Sequence, residues 1–473
     1  MQLPANKTKI VATIGPASES PAILEQMIKA GMNIARLNFS HGKFETHGRN
    51  IENIRAAAKR VGRPVTIMAD LSGPKMRIGN LAVEPMQLKV GDRFSLTTED
   101  IVGDQHRANV SFQRLPQVVK QGDLLSLNDG YIQLEVTKVE GNEVECVITA
   151  GGELRSRKGL NLPGIELGIS AFTERDRECL KFALEHGVDA VSQSFVEGAA
   201  DLQAVRRAAR ELGHDPFLIA KIERSGALER LDEIFDAADG VMIARGDLGV
   251  EVPIERIAVV QKDIMRRANQ RAKPVITATQ MLESMTSHRL PTRAEATDVS
   301  NAILDGTDCV MLSGESATGT FPVESVAMLA RIAATVEATR PQATVKDMFA
   351  DVDLRGKVLP MHLLLVSIEA SLEFLKPAAV FARTTTGSTA RRLAAFHLPV
   401  WTVAVTPSAK TAQDLLFSSG VLPVHEPKGP ASSDGFVKDW LRQNQLPGAF
   451  AILTQGPSAE NPDTNHRMEI INL

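Results

Sequence analysis

Groups able to handle a phosphate and a metal ion stand two residues apart at several places in this 473-residue chain. In MNIARLNFSHG, Arg36, Asn38 and Ser40 fall at i, i+2 and i+4, so in an extended strand they share one face while Ala35, Leu37 and Phe39 take the other. An arginine, an amide and a hydroxyl aimed together suit a phosphate and its counter-ion; the alternative is a polar strand end facing water. Further on, Lys221 and Glu223 of AKIE place an ammonium and a carboxylate on one strand face, which a plain salt bridge would also explain. ARGDLG then puts Asp247 at the mouth of the next strand, and two carboxylates from adjacent strand ends make a hard-cation site of the Mg²⁺ type, completed by water and substrate oxygens. Gly246 and Asp247 lead toward a helix expected over 255–271, and free amides in that turn can hold a carboxylate or phosphate. Of Thr277 and Thr279 in the following run, Thr279 is expected to point inward in register with Lys221 and Glu223.

These residues need elements to carry them, and the chain supplies eight short apolar runs, each ending in polar residues and followed by a helical pattern. The runs cover 9–16, 32–40, 64–74, 188–195, 216–223, 240–247, 273–280 and 308–316. Their starts lie about 25 to 35 residues apart, the size of one βα unit, except for the long step from 64 to 188. Eight parallel strands separated by helices close most economically into a β/α (TIM) barrel with its chemistry at the C-terminal strand ends. The long step implies an insert over 77–161, whose alternating strands and turns at Asn128-Asp129-Gly130 and Gly141-Asn142 predict a β-rich lid domain. After about residue 343 the pattern restarts, with runs PAAVFART, PVWTVAVTP, VLPVHE, AFAILTQG and RMEIINL predicting a separate C-terminal α/β domain. The expected division is therefore 1–76 with 162–342, 77–161, and 343–473.

Composition narrows the partners. The formal net charge is -4, which provides no footprint for a polyanionic polymer, and 17 Phe, 2 Trp and 1 Tyr make poor stacking platforms for single-stranded nucleic acid. Nucleic acid and membrane are not expected partners, since no apolar run has the length to span a bilayer. Cys146, Cys179 and Cys309 lie far apart without a CxxC pair, which fits a reducing compartment; with no secretory pattern at the start, a cytoplasmic location is the default expectation. Neither a GxxxxGK[ST] loop nor a kinase HRD or DFG set is present, so the commonest nucleotide-phosphate cradles are excluded. An inward lysine, two carboxylates, an arginine and hydroxyls describe chemistry on a small phosphorylated acid.

TKIVATIGPAS, RLNFSHG, DLSGPKMRIG, AKIERSGAL, VMIARGDLGVE, PVITATQMLESM and PTRAEATDVSNAILDGTDCVMLSGESATG resemble the pyruvate kinase family along essentially the whole chain. The resemblance implies transfer of a phosphoryl group from phosphoenolpyruvate to ADP, giving pyruvate and ATP, with Mg²⁺ or Mn²⁺ as cofactor. It assigns Lys221 to the transferring phosphoryl group, Glu223 and Asp247 to the divalent ion, and Gly246, Asp247 and Thr279 to the three-carbon acid. Arg36 would grip the substrate phosphate. Asn38, Phe39, Ser40, His41 and Arg77 would face the nucleotide phosphates, with Pro16 near the adenosine. Thr279 and Ser313 would belong to a hydroxyl and water relay for protonation of the enolate. A homotetramer is implied by the resemblance alone.

Two departures and one further likeness sharpen these expectations. Family members that need potassium hold it with groups matching Asn38, Ser40, Asp70 and the carbonyl of Leu71, and carry a threonine and a glutamate where this chain has Leu71 and Lys75. An ammonium on Lys75 can replace the ion's charge, so K⁺ is not expected to be required; the alternative is a solvated Lys75 with the ion still bound. Secondly, Glu197 and Gly198 stand where many members have basic residues reaching ADP. Thirdly, Thr384, Thr385, Thr386, Gly387, Ser388 and Thr389 resemble the phosphate loop of the family's effector site, although an ordinary helix cap has the same shape. The late segment TQGPSAENPDTNHR lacks the tryptophan-bearing loop that closes on fructose bisphosphate in matching sequences, which favours a sugar monophosphate or nucleotide monophosphate effector. Two other functions use parts of this set: a Mg²⁺-dependent barrel lyase or aldolase forming the same enolate, and a catalytically inactive sugar-phosphate sensor.

Overall fold

A computed structural model of the chain describes residues 3–340, 360–428, 433–456 and 465–473. All eight runs form strands: β1 (Lys9–Thr13), β2 (Met32–Asn38), β3 (Thr66–Leu71), β4 (Ala190–Gln193), β5 (Phe217–Ile222), β6 (Gly240–Ala244), β7 (Val275–Ala278) and β8 (Cys309–Leu312). They close into one parallel barrel in sequence order, β1 pairing with both β2 and β8. Alternation sorts each strand into two faces. Val11, Ile34, Met68, Ile219, Met242 and Ile276 pack together inside the barrel, whereas Ala35, Leu37, Ala69, Leu71, Ile222 and Ile243 pack with residues of the surrounding helices. Arg36, Asn38, Asp70, Lys221 and Glu223 have the inward parity.

Between β3 and β4 the chain builds six-stranded and two-stranded sheets around their own core, which includes Phe94, Leu96, Leu125, Leu134 and Val144. The turns at Asn128-Asp129-Gly130 and Gly141-Asn142 join antiparallel strands, as their spacing predicts. Gly73 lies on the way from β3 to this insert, at a φ of +63° that disfavours other residues, and a Cβ there would stand 2.9 Å from the Phe195 ring. Its amide is pinned by Asp176, which also closes a capping box with Thr173 at the start of the helix Glu174–Glu185.

The C-terminal part holds a five-stranded sheet of β9 (Val380–Arg383), β10 (Thr402–Thr406), β11 (Val421–His425), β12 (Phe450–Gln455) and β13 (Arg467–Asn472), in the order β11-β10-β9-β12-β13. It docks under the barrel, at the end opposite to the polar strand termini. Phe417 enters the barrel floor and stacks on Phe217, with centroids 4.9 Å apart and planes 6° apart. The Cys309 thiol donates to the Phe417 carbonyl, Lys9 Nζ donates to the Val421 carbonyl at 2.7 Å, and the Ser419 amide donates to Asp308 at 2.8 Å. The junction expected at 342/343 lies outside the described residues.

One expected element divides. The helix read over 255–271 is Ile257–Gln270, preceded by a separate helix Arg245–Glu251 that starts directly from β6 and by a short turn, Ile254–Arg256. Pro253 explains the break, because it drives Val252 into an extended conformation at φ -127° and ψ 153°. Because Phe417 fills the floor, Phe417→Ala should leave a cavity that costs about 3 to 5 kcal/mol. Urea unfolding of the two proteins tests this; equal midpoints would show that the floor collapses without loss.

Candidate active site

A buried ion network occupies the upper end of the barrel. Asp70, at the end of β3, takes both Nε and Nη2 of Arg36 on one carboxylate oxygen, at 2.9 and 2.5 Å. Its other oxygen accepts the Ser192 hydroxyl at 2.6 Å and lies 3.4 Å from Lys221 Nζ. Lys221 also donates to Ser194 Oγ at 2.6 Å and lies 2.9 Å from Glu223, whose second oxygen accepts the Phe195 amide. Thr13 accepts the remaining Arg36 contact at 2.8 Å. Two cations and two carboxylates thus share a site from which water is nearly excluded.

The electrostatics follow from that burial. For Asp70, desolvation pushes the carboxyl up, but Lys221 and Arg36 outweigh it with help from the Ser192 hydroxyl and hold it at about 2. Lys221 has its ammonium disfavoured by burial and more than restored by Asp70 and Glu223, so it stays charged with a raised pKa. Glu223 moves the other way: burial raises its carboxyl, Asp247 adds to the rise, and Lys221 opposes it. The plain salt bridge is therefore real, and it coexists with two carboxylates that repel each other. A divalent ion relieves that repulsion. Among the described residues no three or more His, Cys, Asp or Glu side chains cluster as metal ligands. A two-carboxylate site fits Mg²⁺, which keeps several waters and takes substrate oxygens.

Around this core the rim gathers further groups. Ser40 Oγ lies 2.9 Å from Ser72 Oγ, and the Asn38 side-chain carbonyl accepts the Ser40 amide. His41 is pulled below its ordinary value by desolvation and then by Lys75, Arg77 and Arg36, so these four share one positive neighbourhood. Lys75 reaches water, yet the crowded mouth desolvates its ammonium and lowers its pKa; Lys221 and Arg77 add to the fall, while Asp70 and Asp247 oppose it. Arg77 donates to the Arg157 carbonyl at 2.7 Å, tying the lid's first residues to its last. Pro16 is exposed on the loop after β1. The Ser313 amide is fixed by Glu315 at 2.7 Å where β8 ends.

Several expectations need correction. Thr279 is not an inward strand residue: Ile276 and Ala278 line the interior, Thr277 bonds to Thr307 on the outer side, and the strand stops at Ala278. Thr279 instead sits beyond the strand at φ +67°, a strained conformation costing about 1 to 3 kcal/mol, and its hydroxyl accepts the Gly246 amide at 2.8 Å. That bond removes Gly246 from the amides free to hold a ligand. Phe39 has its ring buried and stacked on His47, 4.3 Å between centroids, so only its backbone faces the cleft. Leu71 points its side chain outward, which leaves the carbonyl, the group expected of it, as what it can offer. At the departure noted for Glu197 and Gly198, Glu197 is ion-paired with Arg224 at 3.2 Å, and a Cβ on Gly198 would meet Glu233. Ser192, Ser194 and Thr13 escaped notice, although the i, i+2 spacing of the two serines in VSQSF was the same signal that exposed Lys221 and Glu223.

On the C-terminal part, Thr384 Oγ1 accepts the Gly387 amide at 2.9 Å and Thr411 donates to the Thr385 carbonyl. Gly387, at φ +81°, starts the helix Ser388–Ala394 without any side-chain cap. Thr386 and Ser388 are exposed, whereas Thr389 is buried and cannot present its hydroxyl as expected. The segment between Gln455 and Arg467 falls largely outside the described residues at 457–464.

Comparison with known proteins accords with this geometry. Residues 5–326 match the family model described as pyruvate kinase, barrel domain, and residues 365–470 match pyruvate kinase, alpha/beta domain. A pyruvate kinase of Thermococcus litoralis is 48% identical over 424 residues, covering 89% of each chain. One from Staphylococcus aureus is 38% identical over 467 residues, covering 97% of this chain and 79% of that protein. The crystal structure of a pyruvate kinase from Cryptosporidium parvum superposes with a TM-score of 0.90 at 33% identity, covering 99% of this chain and 96% of the other. Sequence and architecture agree over nearly the full length, and the chain belongs to the pyruvate kinase family.

Proposed function

We propose that the chain moves the phosphoryl group of phosphoenolpyruvate to ADP with Mg²⁺ or Mn²⁺ held by Glu223 and Asp247. The observation that carries the reading is the ammonium of Lys221, kept charged between Asp70 and Glu223 while Glu223 also feels Asp247. In the reaction, the bond from phosphorus to the enolate oxygen breaks as one forms to a terminal ADP oxygen, and the enolate then gains a proton to become pyruvate. Charge on the moving phosphoryl group is the main obstacle, and Lys221 and Arg36 bring two fixed positive groups to it without reorganisation. When bound, the divalent ion supplies a Lewis acid that favours the enolate. Thr279 and the turn at Gly246 bound the acid's pocket, while Ser40, His41, Lys75 and Arg77 face the nucleotide.

Proton delivery has a geometric constraint. The Thr279 hydroxyl lies 2.7 Å from the Ala278 carbonyl and spends its own proton there, having accepted the Gly246 amide. Ser313, whose amide is fixed by Glu315, is then the better first donor of the relay, with water resupplying it. A lyase or aldolase would need neither Lys221 at a phosphoryl group nor the cationic rim on the lid side. An inactive sensor would not maintain the buried network, which costs desolvation of four charges. The three-part division at 77–161 and 343–473 rests on the pattern of runs and a cytoplasmic location on cysteine usage, while an effector at the Thr384–Thr389 loop and a homotetramer rest on the family resemblance.

A coupled assay with phosphoenolpyruvate, ADP and Mg²⁺ tests the function. Pyruvate should form only when ADP is present, stop with a chelator, and resume with Mg²⁺ or Mn²⁺; ADP-independent pyruvate would point to the lyase. Run in Tris with and without K⁺, the same assay should give equal rates, because Lys75 brings its charge to the rim; a strict K⁺ requirement would overturn that role. Lys221→Met should lower kcat by about a hundredfold or more with KM for phosphoenolpyruvate little changed. A variant that folds, binds Mg²⁺ and turns over normally would remove Lys221 from the chemistry.

A further inference from the structure

Arg224 directly follows Glu223 beyond the end of β5, yet its side chain bonds to three other parts of the molecule. Nη2 donates to the Ile165 carbonyl at 2.6 Å, Nη1 to Glu251 at 3.2 Å and Nε to Glu197 at 3.2 Å. Ile165 belongs to the lid's return segment, since it packs on the lid core between the buried Leu162 and Leu167. Glu251 is the last residue of the helix Arg245–Glu251, whose first turn carries Asp247. Glu197 lies in the loop after β4. The Arg224 and Glu251 side chains are only 4% and 1% exposed, so this pair meets out of water. The Ser225 amide and hydroxyl complete the shell of Glu251 at 3.3 and 3.1 Å.

The lid reaches the same helix end a second time. A Cβ on Gly130, in the lid's hairpin turn, would stand 3.4 Å from the Val250 side chain, so the turn rests one residue before Glu251. Beside the guanidinium, a cavity of about 220 Å³ bordered by Gly164, Ile165, Glu197 and Ser225 keeps apolar packing thin, which leaves the polar bridge to hold the return segment there. Only a planar fork with several donors can span acceptors on three elements; a lysine ammonium is a point charge. Asp247 and Glu251 stand at i and i+4, one turn apart on one face of a seven-residue helix, so a tilt at Glu251 reaches Asp247. We propose that Arg224 is a positioning residue that clamps the lid's return segment to the helix Arg245–Glu251, so that the seating of the lid and the placement of Asp247 are set together. The inference rests on the reading that Glu223 and Asp247 hold the divalent ion, and it makes that site depend on the lid.

Arg224→Lys keeps a cation beside Glu251 while losing the three-way span, and is compared with Arg224→Met. Should the latter fail to fold with Glu251 left unpaired, Arg224→Met/Glu251→Gln, which removes both charges, takes its place. Two quantities are read on the full chain without substrate: amide hydrogen exchange over 162–168, and Mn²⁺ binding from the electron paramagnetic resonance signal of the free ion. Arg224→Lys should lose protection in that segment and bind Mn²⁺ about tenfold more weakly, with the melting midpoint of the parent. Lost protection with parental Mn²⁺ binding would overturn the coupling. Weaker binding with parental protection would show that Arg224 acts only on its neighbour Glu223, and would overturn the clamp. Protection lost throughout the chain with a lowered midpoint would make Arg224 a general structural residue and overturn the proposal as well. Asp247→Asn checks the underlying reading: it should weaken Mn²⁺ binding at least as much as Arg224→Lys does, and parental binding there would overturn the ion site itself and the proposal with it.

Discussion

Asp70 is the constraint around which the upper barrel is organised. A carboxylate buried to this degree survives ionised only if its charge is met, and it is met twice, by Arg36 from the neighbouring strand β2 and by Lys221 from β5. Lys221 in turn needs a second carboxylate to remain an ammonium in the same dry space, and Glu223 supplies it. Ser192 on β4 and Ser194 just beyond it fill the gap between β3 and β5, so that Asp70 and Lys221 each have a hydroxyl as well as a counter-charge. The network is neutral as built.

The two ends of the barrel do different work for a simple reason. Parallel strands put all their C-terminal ends on one side, and only there do polar residues such as Arg36, Asp70 and Glu223 finish the strands. At the other end the interior must still be closed against water, and the C-terminal part closes it with Phe417, Phe217 and the carbonyls that hold Lys9 and Cys309. The same docking creates a charged cavity beside it, because the barrel helix ends and the helix Ser388–Ala394 both bring arginines to the seam. The stabilising joint and the charged joint are therefore neighbours.

Much of this could be read from the residues. Eight apolar runs became eight strands, the alternating insert became mainly antiparallel sheets, and the five later runs became the C-terminal sheet, because a strand's burial is written locally in period-2 and aliphatic patterns. Pairs within one strand, such as Lys221 and Glu223, were equally legible. Thr279 was not. Its position was extrapolated along an ideal strand, and the chain bends to positive φ one residue after the pairing with β6 ends. Phe39 was misjudged through its motif, although its ring has an aromatic cluster of Phe44, His47 and Phe182 to join. Arg245, whose role no motif announces, is held by Asp298 at 2.7 Å and the Thr279 carbonyl at 2.8 Å, and props the loop.

The amino-acid sequence by itself determined the strand inventory, which side chains share a face within each strand, the kind of chemistry their functional groups suit and the family resemblance. Those depend on covalent alternation and on residue identity, and neither requires knowing what lies across space. Tertiary structure alone decided that Asp70 and Lys221, separated by 151 positions, neutralise each other, that Glu197 pairs with Arg224, and that Arg391 and Lys273 line one cavity. Those facts arise from barrel closure and domain docking, which bring together charges whose mutual energy falls off with distance in space and is indifferent to distance along the chain.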